Sequence, residues 1–444
     1  MRVRFWGTRG SIPRPGPETV RYGGNTSCVE LRAADGSRVI LDSGTGAHEL
    51  GTHLSGRPGS RGHFLIGHTH WDHIQGFPFF APFFEVGTEW NVYAPGRRTQ
   101  HIADILAGQM SYDYHPVSVD SFEASVRFHD LREGSFRCGG VAVACRYMNH
   151  PVLTLGYRLA ADGVVVVYAT DHEPHSLLPL DAEPGAIPIH HEDQRHVAFL
   201  SEADLLIHDA QYRLDEFPER TGWGHSPVER VVDYAIAAGV KRVALFHHDP
   251  MRDDDAVDRL VALARERASQ GSHVPEVFAA AEGQELELVG DRPAAELERE
   301  LLASGPSALH TEFSAEPATV LVVEDDPGMV ALLREALAPE QVRVIEAHDG
   351  ETALKRAREE HPTLLLLDLN IPRPDGLEVC RRLRADASPS LRHVPILVLT
   401  GMAHAEVSIE ETFLAGATDY LTKPIKPALV RSRVRGWLLR RSAD

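Results

Sequence analysis

The chain has few cysteines, no apolar run of membrane-spanning length and no excess of positive charge, and each shortage removes a class of protein. Four cysteines without paired spacing (Cys28, Cys138, Cys145 and Cys380) in 444 residues argue against a disulfide-stapled secreted scaffold and suit thiols in a reducing cytoplasm. No stretch is long and apolar enough for a transmembrane helix, and Met1-Arg2-Val3-Arg4 opens no signal-peptide pattern, so a cytoplasmic protein with no membrane partner is expected. A formal net charge of −19 disfavours nucleic acid as partner, because acidic surfaces repel polyanions. No fixed-period repeat is present. At 444 residues the chain exceeds one ordinary core, so at least two domains are expected.

What the chain does have is histidine, and it is unevenly spread: 20 of 25 precede residue 300. The densest cluster is His68-Thr69-His70-Trp71-Asp72-His73, directly after the apolar run Phe64-Leu65-Ile66-Gly67. On a loop leaving a strand, His68 and His70 reach one metal while Asp72 and His73, a turn further on, reach a second. Neutral imidazole and ionised carboxylate are good ligands for zinc or manganese. Further ligands wait at the ends of later apolar runs. Val141 to Tyr147 leads to Asn149-His150-Pro151, Val164 to Ala169 to Thr170-Asp171-His172, and Val243 to Phe246 to His247-His248-Asp249. His190, His191 and His196 lie in a polar, acid-containing stretch and read as a solvated surface loop.

This order of ligands resembles the metallo-β-lactamase superfamily, over about residues 1–290. The resemblance implies an αββα sandwich with His68, His70 and His150 on one metal, Asp72, His73 and His247 on the other, and Asp171 between them. His248 is the rival to His247, and His172 takes a supporting or packing role. Val39-Ile40-Leu41-Asp42-Ser43-Gly44 looks like the family's first motif, in which Asp42 supports the metal loop from behind. No cysteine stands where class B β-lactamases place one, and His70 occupies the position of a glutamate in the di-iron members. The phosphodiesterase branch, which includes ribonuclease Z and phosphoribosyl cyclic phosphodiesterases, remains. Leu205-Leu206-Ile207-His208-Asp209-Ala210-Gln211 and Gly224-His225-Ser226 resemble its two later motifs, which make Asp209 and His225 a proton relay and, with Asp72, the catalytic residues.

Local chemistry supports that role separately. Ser226-Pro227-Val228-Glu229 reads as a helix start, with Ser at the cap and Pro at the first position, so His225 precedes a positive helix end. The helix end lowers the pKa of His225 and a nearby Asp209 raises it, leaving an acid suited to protonating an alkoxide. The long basic arm of ribonuclease Z is missing, which points to a small phosphodiester such as a cyclic nucleotide or cyclic ribose phosphate. Arg97-Arg98 is a candidate phosphate contact, and the Phe- and Pro-rich segment Phe77 to Tyr93 is either a wall for a base or sugar, or core or dimer surface.

From Gly290 to about Pro317 the composition turns to Ala, Glu, Ser and Pro, with one short helix candidate, and reads as a linker over residues 291–317. Beyond it, buried strands end at Glu324-Asp325-Asp326, Asp368, Thr400 and Lys423-Pro424, placing polar groups at one edge of a parallel sheet. Residues 318–441 resemble a response-regulator receiver, a doubly wound (βα)5 domain of flavodoxin-like type. The resemblance implies phosphorylation of Asp368 by a cognate sensor histidine kinase. It also implies Mg²⁺ held by the acidic pair Glu324 and Asp325, Asp368 and the Asn370 carbonyl, and a switch made of Thr400, Tyr420 and Lys423.

Both domains are α/β. The expected protein is a two-component metal-dependent hydrolase, by resemblance a homodimer, in which Asp368 phosphorylation controls phosphodiester hydrolysis. The alternatives are an RNA endonuclease, a lactone or ester hydrolase, and an idle metal-binding signalling platform.

Overall fold

Runs such as Val164–Ala169, whose six residues are all buried, form strands covered on both faces, and strands of this kind make the centres of all three sheets. The computed structural model describes residues 1–309 apart from 58, 97–99, 177, 179, 180 and 189, and then residues 317–401 and 409–441, without the side chains of 409, 410 and 439–441. Arg97 and Arg98 therefore lie outside the described residues. The chain divides into two units, Met1–Thr311 and Glu312–Asp444.

The first unit contains two seven-stranded sheets. One runs in the order Glu285–Glu287, Arg2–Gly7, Cys28–Arg32, Arg38–Leu41, Arg61–Leu65, Glu89–Pro95, Ser125–Leu131. The other runs Glu276–Ala279, Arg242–Phe246, Leu205–Asp209, Val164–Ala169, Leu155–Ala161, Val141–Tyr147, Gly134–Cys138. The sheets face each other: the Phe5 and Phe246 rings lie 6.1 Å apart, and the Tyr157 hydroxyl donates across the interface to the Ile66 carbonyl at 2.7 Å. Helix Gly46–Leu54 packs outside the first sheet, and Val228–Ala237 and Asp254–Ser269 pack outside the second, which is the αββα sandwich. Phe77, Phe80 and Phe83 turn inward around Phe64 and Trp90, so the phenylalanine segment is core.

Part of the segment read as a linker folds onto this unit. Helix Ala294–Ala303 seats Leu301 in the outer core of the second sheet, and Ser307 and Leu309 bridge to Ser135 and Leu131.

In the second unit five parallel strands run in the order Arg343–Ala347, Thr319–Val323, Leu364–Asp368, Ile396–Gly401, Asp419–Lys423. Helices Gly350–Glu360 and Gly376–Arg384 cover one face, and Pro327–Leu337 and Pro427–Arg441 cover the other. This is a doubly wound, flavodoxin-like sheet, with its acidic residues at the carboxyl ends of the strands.

Candidate metal centre

Three polar residues just past strand ends hold left-handed backbone: Asp42 at φ 59°, Asp171 at 59° and His247 at 57°. That conformation costs on the order of 1–2 kcal/mol in a residue with a Cβ, and it turns each side chain sharply off its strand. The ligands meet there. His73 Nε2 lies 3.2 Å from Asp171 Oδ2 and 3.3 Å from Asp72 Oδ2, and His247 Nε2 is 2.9 Å from Asp72 Oδ2 and 3.5 Å from Asp171 Oδ2. On the other side, His68 Nε2 and His150 Nε2 stand 3.9 and 3.8 Å from Asp171 Oδ1, and His70 Nδ1 is 3.3 Å from His150 Nε2. Ligand atoms of His68, His70 and His150 cluster within 4.8 Å of one another, as do those of Asp72, His73 and His247. Asp171 faces both sets.

The donors fit two divalent cations. Asp72 and Asp171 are buried carboxylates at 5 % and 1 % exposure, and among the described residues neither Lys nor Arg lines the cavity they face. Both ring nitrogens of His68 are buried with no hydrogen-bond partner among the described residues. A buried imidazole without a partner is costly unless something ligates it. Burial alone would raise the Asp171 carboxyl, but the imidazoles of His247, His73 and His68 hold it well below the usual carboxylate range. For Asp72 the same opposition of burial and His73 ends with the carboxyl low. Burial pulls His150 down to about 3, which keeps its imidazole neutral and able to ligate.

Partners behind the ligands orient them. Asp42 accepts from His73 Nδ1 at 2.7 Å, from the Gly67 amide at 2.6 Å and from the Tyr168 hydroxyl at 2.6 Å, which leaves His73 Nε2 for the cluster. His150 Nδ1 donates to the Gly224 carbonyl at 3.0 Å. The Gln211 amide nitrogen sits 2.7 Å from His247 Nδ1 and holds that ring from behind. His248 turns away: its Nε2 donates to the Ala280 carbonyl at 2.9 Å, in a buried setting that lowers its pKa to about 3. The motif reading found Asp42 but not Tyr168 or Gln211, although Tyr168 is the single hydrogen-bonding side chain in its strand and Gln211 ends the Leu205 segment.

His225 and Asp209 also come together. His225 Nδ1 is 3.3 Å from Asp209 Oδ2 and 3.6 Å from Asp171 Oδ1, and His225 lines the same cavity of about 520 Å³ as His70, Asp72, His150, Asp171 and His247. Burial would lower the His225 pKa, but the facing carboxylate of Asp209 and the charges of Asp171 and Asp72 raise it overall. Asp209 also accepts from the amides of Ser226 at 2.9 Å and His172 at 3.3 Å, with His208 Nδ1 3.2 Å away. Burial opposes its charge, yet the hydrogen bonds from His208 and His225 keep it far below the carboxylate range. A carboxylate this well supplied with donors stays ionised and orients His225; it does not take the proton itself.

The expected cap at Ser226 does not form. The helix begins at Val228, the Ser226 hydroxyl donates to the His172 carbonyl at 2.6 Å, and the Glu229 carboxylate accepts from the Leu214 amide at 2.9 Å. The reading of His190, His191 and His196 as a solvated loop also needs correction. His191–Leu200 is a helix, and only His191 of the three is exposed. His196 stacks on His172 with rings 3.8 Å apart at 8°, and its Nε2 is 3.2 Å from His208 Nε2.

In the second unit, the Lys423 ammonium donates to Glu324 at 2.9 Å and to Asp368 at 2.7 Å. The Asn370 amide donates to Asp368 at 3.2 Å, and Asp325 is exposed. Burial would lower the Lys423 pKa, but the two carboxylates raise it. Glu324 is raised, mainly by burial. Thr400 and Tyr420 are half-buried at neighbouring strand ends, with Tyr420 packed on Phe413 at 6.0 Å.

These two sites sit in two known domain types. Residues 38–248 match the beta-lactamase superfamily domain and residues 320–435 the response regulator receiver domain, so the chain joins a hydrolase-type domain to a receiver. Among curated proteins, the Bacillus subtilis alkaline phosphatase synthesis transcriptional regulatory protein PhoP is 42 % identical over 123 residues, 28 % of this chain. The chain spans about half of that relative, 49 % of its length. Among solved structures, the metallo-beta-lactamase fold protein YhfI of Bacillus subtilis is similar at 19 % identity and TM-score 0.45, covering 65 % of this chain and 99 % of its own. The short form of human tRNase Z aligns at 21 % identity and TM-score 0.44, covering 65 % of this chain and 99 % of its own. Among the described residues no helix is long and apolar enough to cross a membrane.

Proposed function

We propose that the first domain is a phosphodiesterase with two divalent ions, zinc or manganese, acting on a small phosphodiester, and that phosphorylation of Asp368 by a sensor histidine kinase controls it. The carrying observation is the position of His225: an imidazole held above its ordinary pKa by Asp209, on the wall of the cavity lined by Asp72, Asp171, His70, His150 and His247. A platform that only binds metal has no use for a proton donor there. A lactone, with its better leaving group, needs one less.

When bound, the two ions would supply Lewis acidity toward a water and a phosphoryl oxygen. The chain's own residues do the rest. Asp72 and Asp171 offer ionised oxygens, and Asp42 sets the tautomer of His73. Asp209 faces Nδ1 of His225 at 3.3 Å, so the other N–H of the imidazolium is the proton given to the leaving alkoxide. Because among the described residues no Lys or Arg lines the cavity, a single phosphodiester suits it better than an RNA strand.

In the receiver, Asp368 is the proposed phosphoryl acceptor, Asp325, Asp368 and the Asn370 carbonyl would hold Mg²⁺, and Lys423 would pair with the phosphoryl group. Thr400 and Tyr420 report the change. The assembly is proposed to be a homodimer. The test is hydrolysis of bis(p-nitrophenyl) phosphate, cyclic nucleotides, a cyclic ribose phosphate, a lactone and pre-tRNA by metal-loaded protein, with Asp72→Ala as control. Turnover of the small diesters alone supports the reading; turnover of the lactone alone, or of none of these compounds, overturns it.

A further inference from the structure

Two large indoles stand exposed at the metal cavity. Trp71 is 75 % and Trp223 is 56 % exposed, and both line the same space as His70, Asp72, Asp171 and His225. Exposed tryptophan side chains carry a hydration cost that a monomeric fold ordinarily avoids, so paired placement at a polar cavity calls for a ligand.

Neither indole is loosely held. Trp71 lies between His70 and Asp72, at the start of the short helix Trp71–Ile74. Trp223 sits between two glycines that share one buried anchor: the Glu173 carboxylate accepts from the Gly222 amide at 2.8 Å and from the Gly224 amide at 2.9 Å. The Trp223 amide itself donates to the Arg220 carbonyl at 3.0 Å. Gly224 has φ 89°, and a Cβ there would stand 2.1 Å from His150 Nδ1, so the loop is fitted against a metal-cluster histidine. These bonds fix the backbone that carries Trp223, and its side chain is 56 % exposed.

We propose that Trp71 and Trp223 form a stacking clamp for the nucleobase of a substrate with one phosphodiester, which makes the substrate class a nucleoside phosphodiester. This rests on the phosphodiesterase reading above and narrows it: a cyclic ribose phosphate without a base would leave both indoles idle. Base stacking on aromatic side chains tolerates any base, because every base offers a π-face. The phenylalanines that might have served as such a wall, Phe77, Phe80 and Phe83, are buried in the core. A volume of about 520 Å³ lies within the 300–1,000 Å³ range of small-molecule sites, which a mononucleotide fits and a folded RNA does not. Among the described residues no Lys or Arg stands on the cavity wall to pair with a polyphosphate chain.

The test compares three diesters with a common leaving group in the metal-loaded full chain: the p-nitrophenyl esters of thymidine 5′-phosphate, phenyl phosphate and methyl phosphate. The wild type should prefer the thymidine ester to the methyl ester by about thirtyfold in kcat/KM, and each of Trp71→Ala and Trp223→Ala should lower that ratio about fivefold, mainly through KM. Trp71→Phe and Trp223→Phe should restore most of it. A ratio that both alanine variants leave intact overturns the clamp, and an equal preference for the phenyl ester overturns the nucleobase. If no ester is cleaved, the phosphodiesterase reading fails, and calorimetric binding of thymidine 5′-phosphate decides the clamp alone. At least tenfold weaker binding in the double alanine variant, with metal content intact, supports it, and equal binding overturns it.

Discussion

The two polar sites balance their carboxylates in opposite ways. In the receiver, Glu324 and Asp368 are bridged by Lys423, a resident ammonium at 2.9 and 2.7 Å, so the pocket carries its own cation. In the first domain, Asp72 and Asp171 are surrounded by imidazoles, and among the described residues neither Lys nor Arg lines the cavity. Imidazole is a ligand before it is a counter-ion: burial keeps His68 and His150 neutral, while Asp72, Asp171 and Asp42 raise His73 against its burial. The first site is therefore a donor set that could hold metal. The second is internally balanced and suited to gaining and losing Mg²⁺ and a phosphoryl group, as a switch requires.

Chelation should break that symmetry most visibly. Metal at a thousandfold excess over its Kd contributes about 4.1 kcal/mol to the domain that binds it. A chelator should lower the melting temperature of the first domain by several degrees and leave the receiver transition in place. Equal shifts of both transitions, read by calorimetry, would remove the distinction. At the same site Asp72→Ala, His73→Ala, Asp171→Ala and His247→Ala should each reduce turnover on the order of 10⁴-fold with secondary structure retained.

The next effect is chemical. General-acid help is worth about 10²–10⁴-fold, so His225→Ala should lose that much on a poor alkoxide leaving group and far less on nitrophenolate. Losses equal on both would make His225 a binding or packing residue. Because the Asp209 carboxylate raises the His225 pKa, activity that needs the imidazolium should fall as pH rises through that raised value. Asp209→Asn removes the raising partner, so the alkaline limb of kcat/KM should move to lower pH.

A phosphoryl mimic on the receiver should act more gently. Beryllofluoride should change the steady-state rate about tenfold, a population shift of about 1.4 kcal/mol, in wild type but not in Asp368→Ala. Identical rates with the mimic bound would leave Asp368 without influence on the hydrolase.

The cluster of candidate ligands was legible because ligation needs particular residue types at strand ends, and apolar runs such as Val164–Ala169 mark those ends. Choosing His247 over His248 took a resemblance at the sequence level, since both follow the same strand and only backbone at φ 57° decides which ring faces the cluster. Helix His191–Leu200 was illegible for the opposite reason. Its buried positions, Glu192, Asp193, His196 and Leu200, have helical spacing, but Leu200 alone of them is apolar. The polar ones are buried as partners: Glu192 with Arg146 at 2.7 Å, Asp193 with the Tyr234 hydroxyl at 2.7 Å. A hydrophobic pattern cannot report a face whose burial is satisfied by hydrogen bonds. The same blindness hid the support of Asp209, which comes from His208 and from two backbone amides.

That support gives the smallest expected effect and a sharp one. His208 Nδ1 faces Asp209 at 3.2 Å while Nε2 faces His196 Nε2 at 3.2 Å, so one ring links the catalytic carboxylate to a buried imidazole stack. His208→Ala removes both contacts; His208→Asn keeps an amide donor near the Nδ1 position and loses the link to His196. Asp209 has a depressed folded pKa, so its contribution to stability is present above about pH 4 and is lost as pH falls through the folded value. Removing one donor raises that folded value, and acid unfolding of His208→Ala should begin at higher pH than in wild type. It also leaves Asp209 leaning harder on His225, which should move the alkaline limb of kcat/KM slightly upward, by a fraction of a unit, opposite in sign to Asp209→Asn. If His208→Asn keeps the wild-type pH profile but is less stable by about 1–2 kcal/mol, the Nδ1 contact serves catalysis and the Nε2 contact serves the core. If both variants keep that profile, His208 only packs, and Asp209 holds His225 without it.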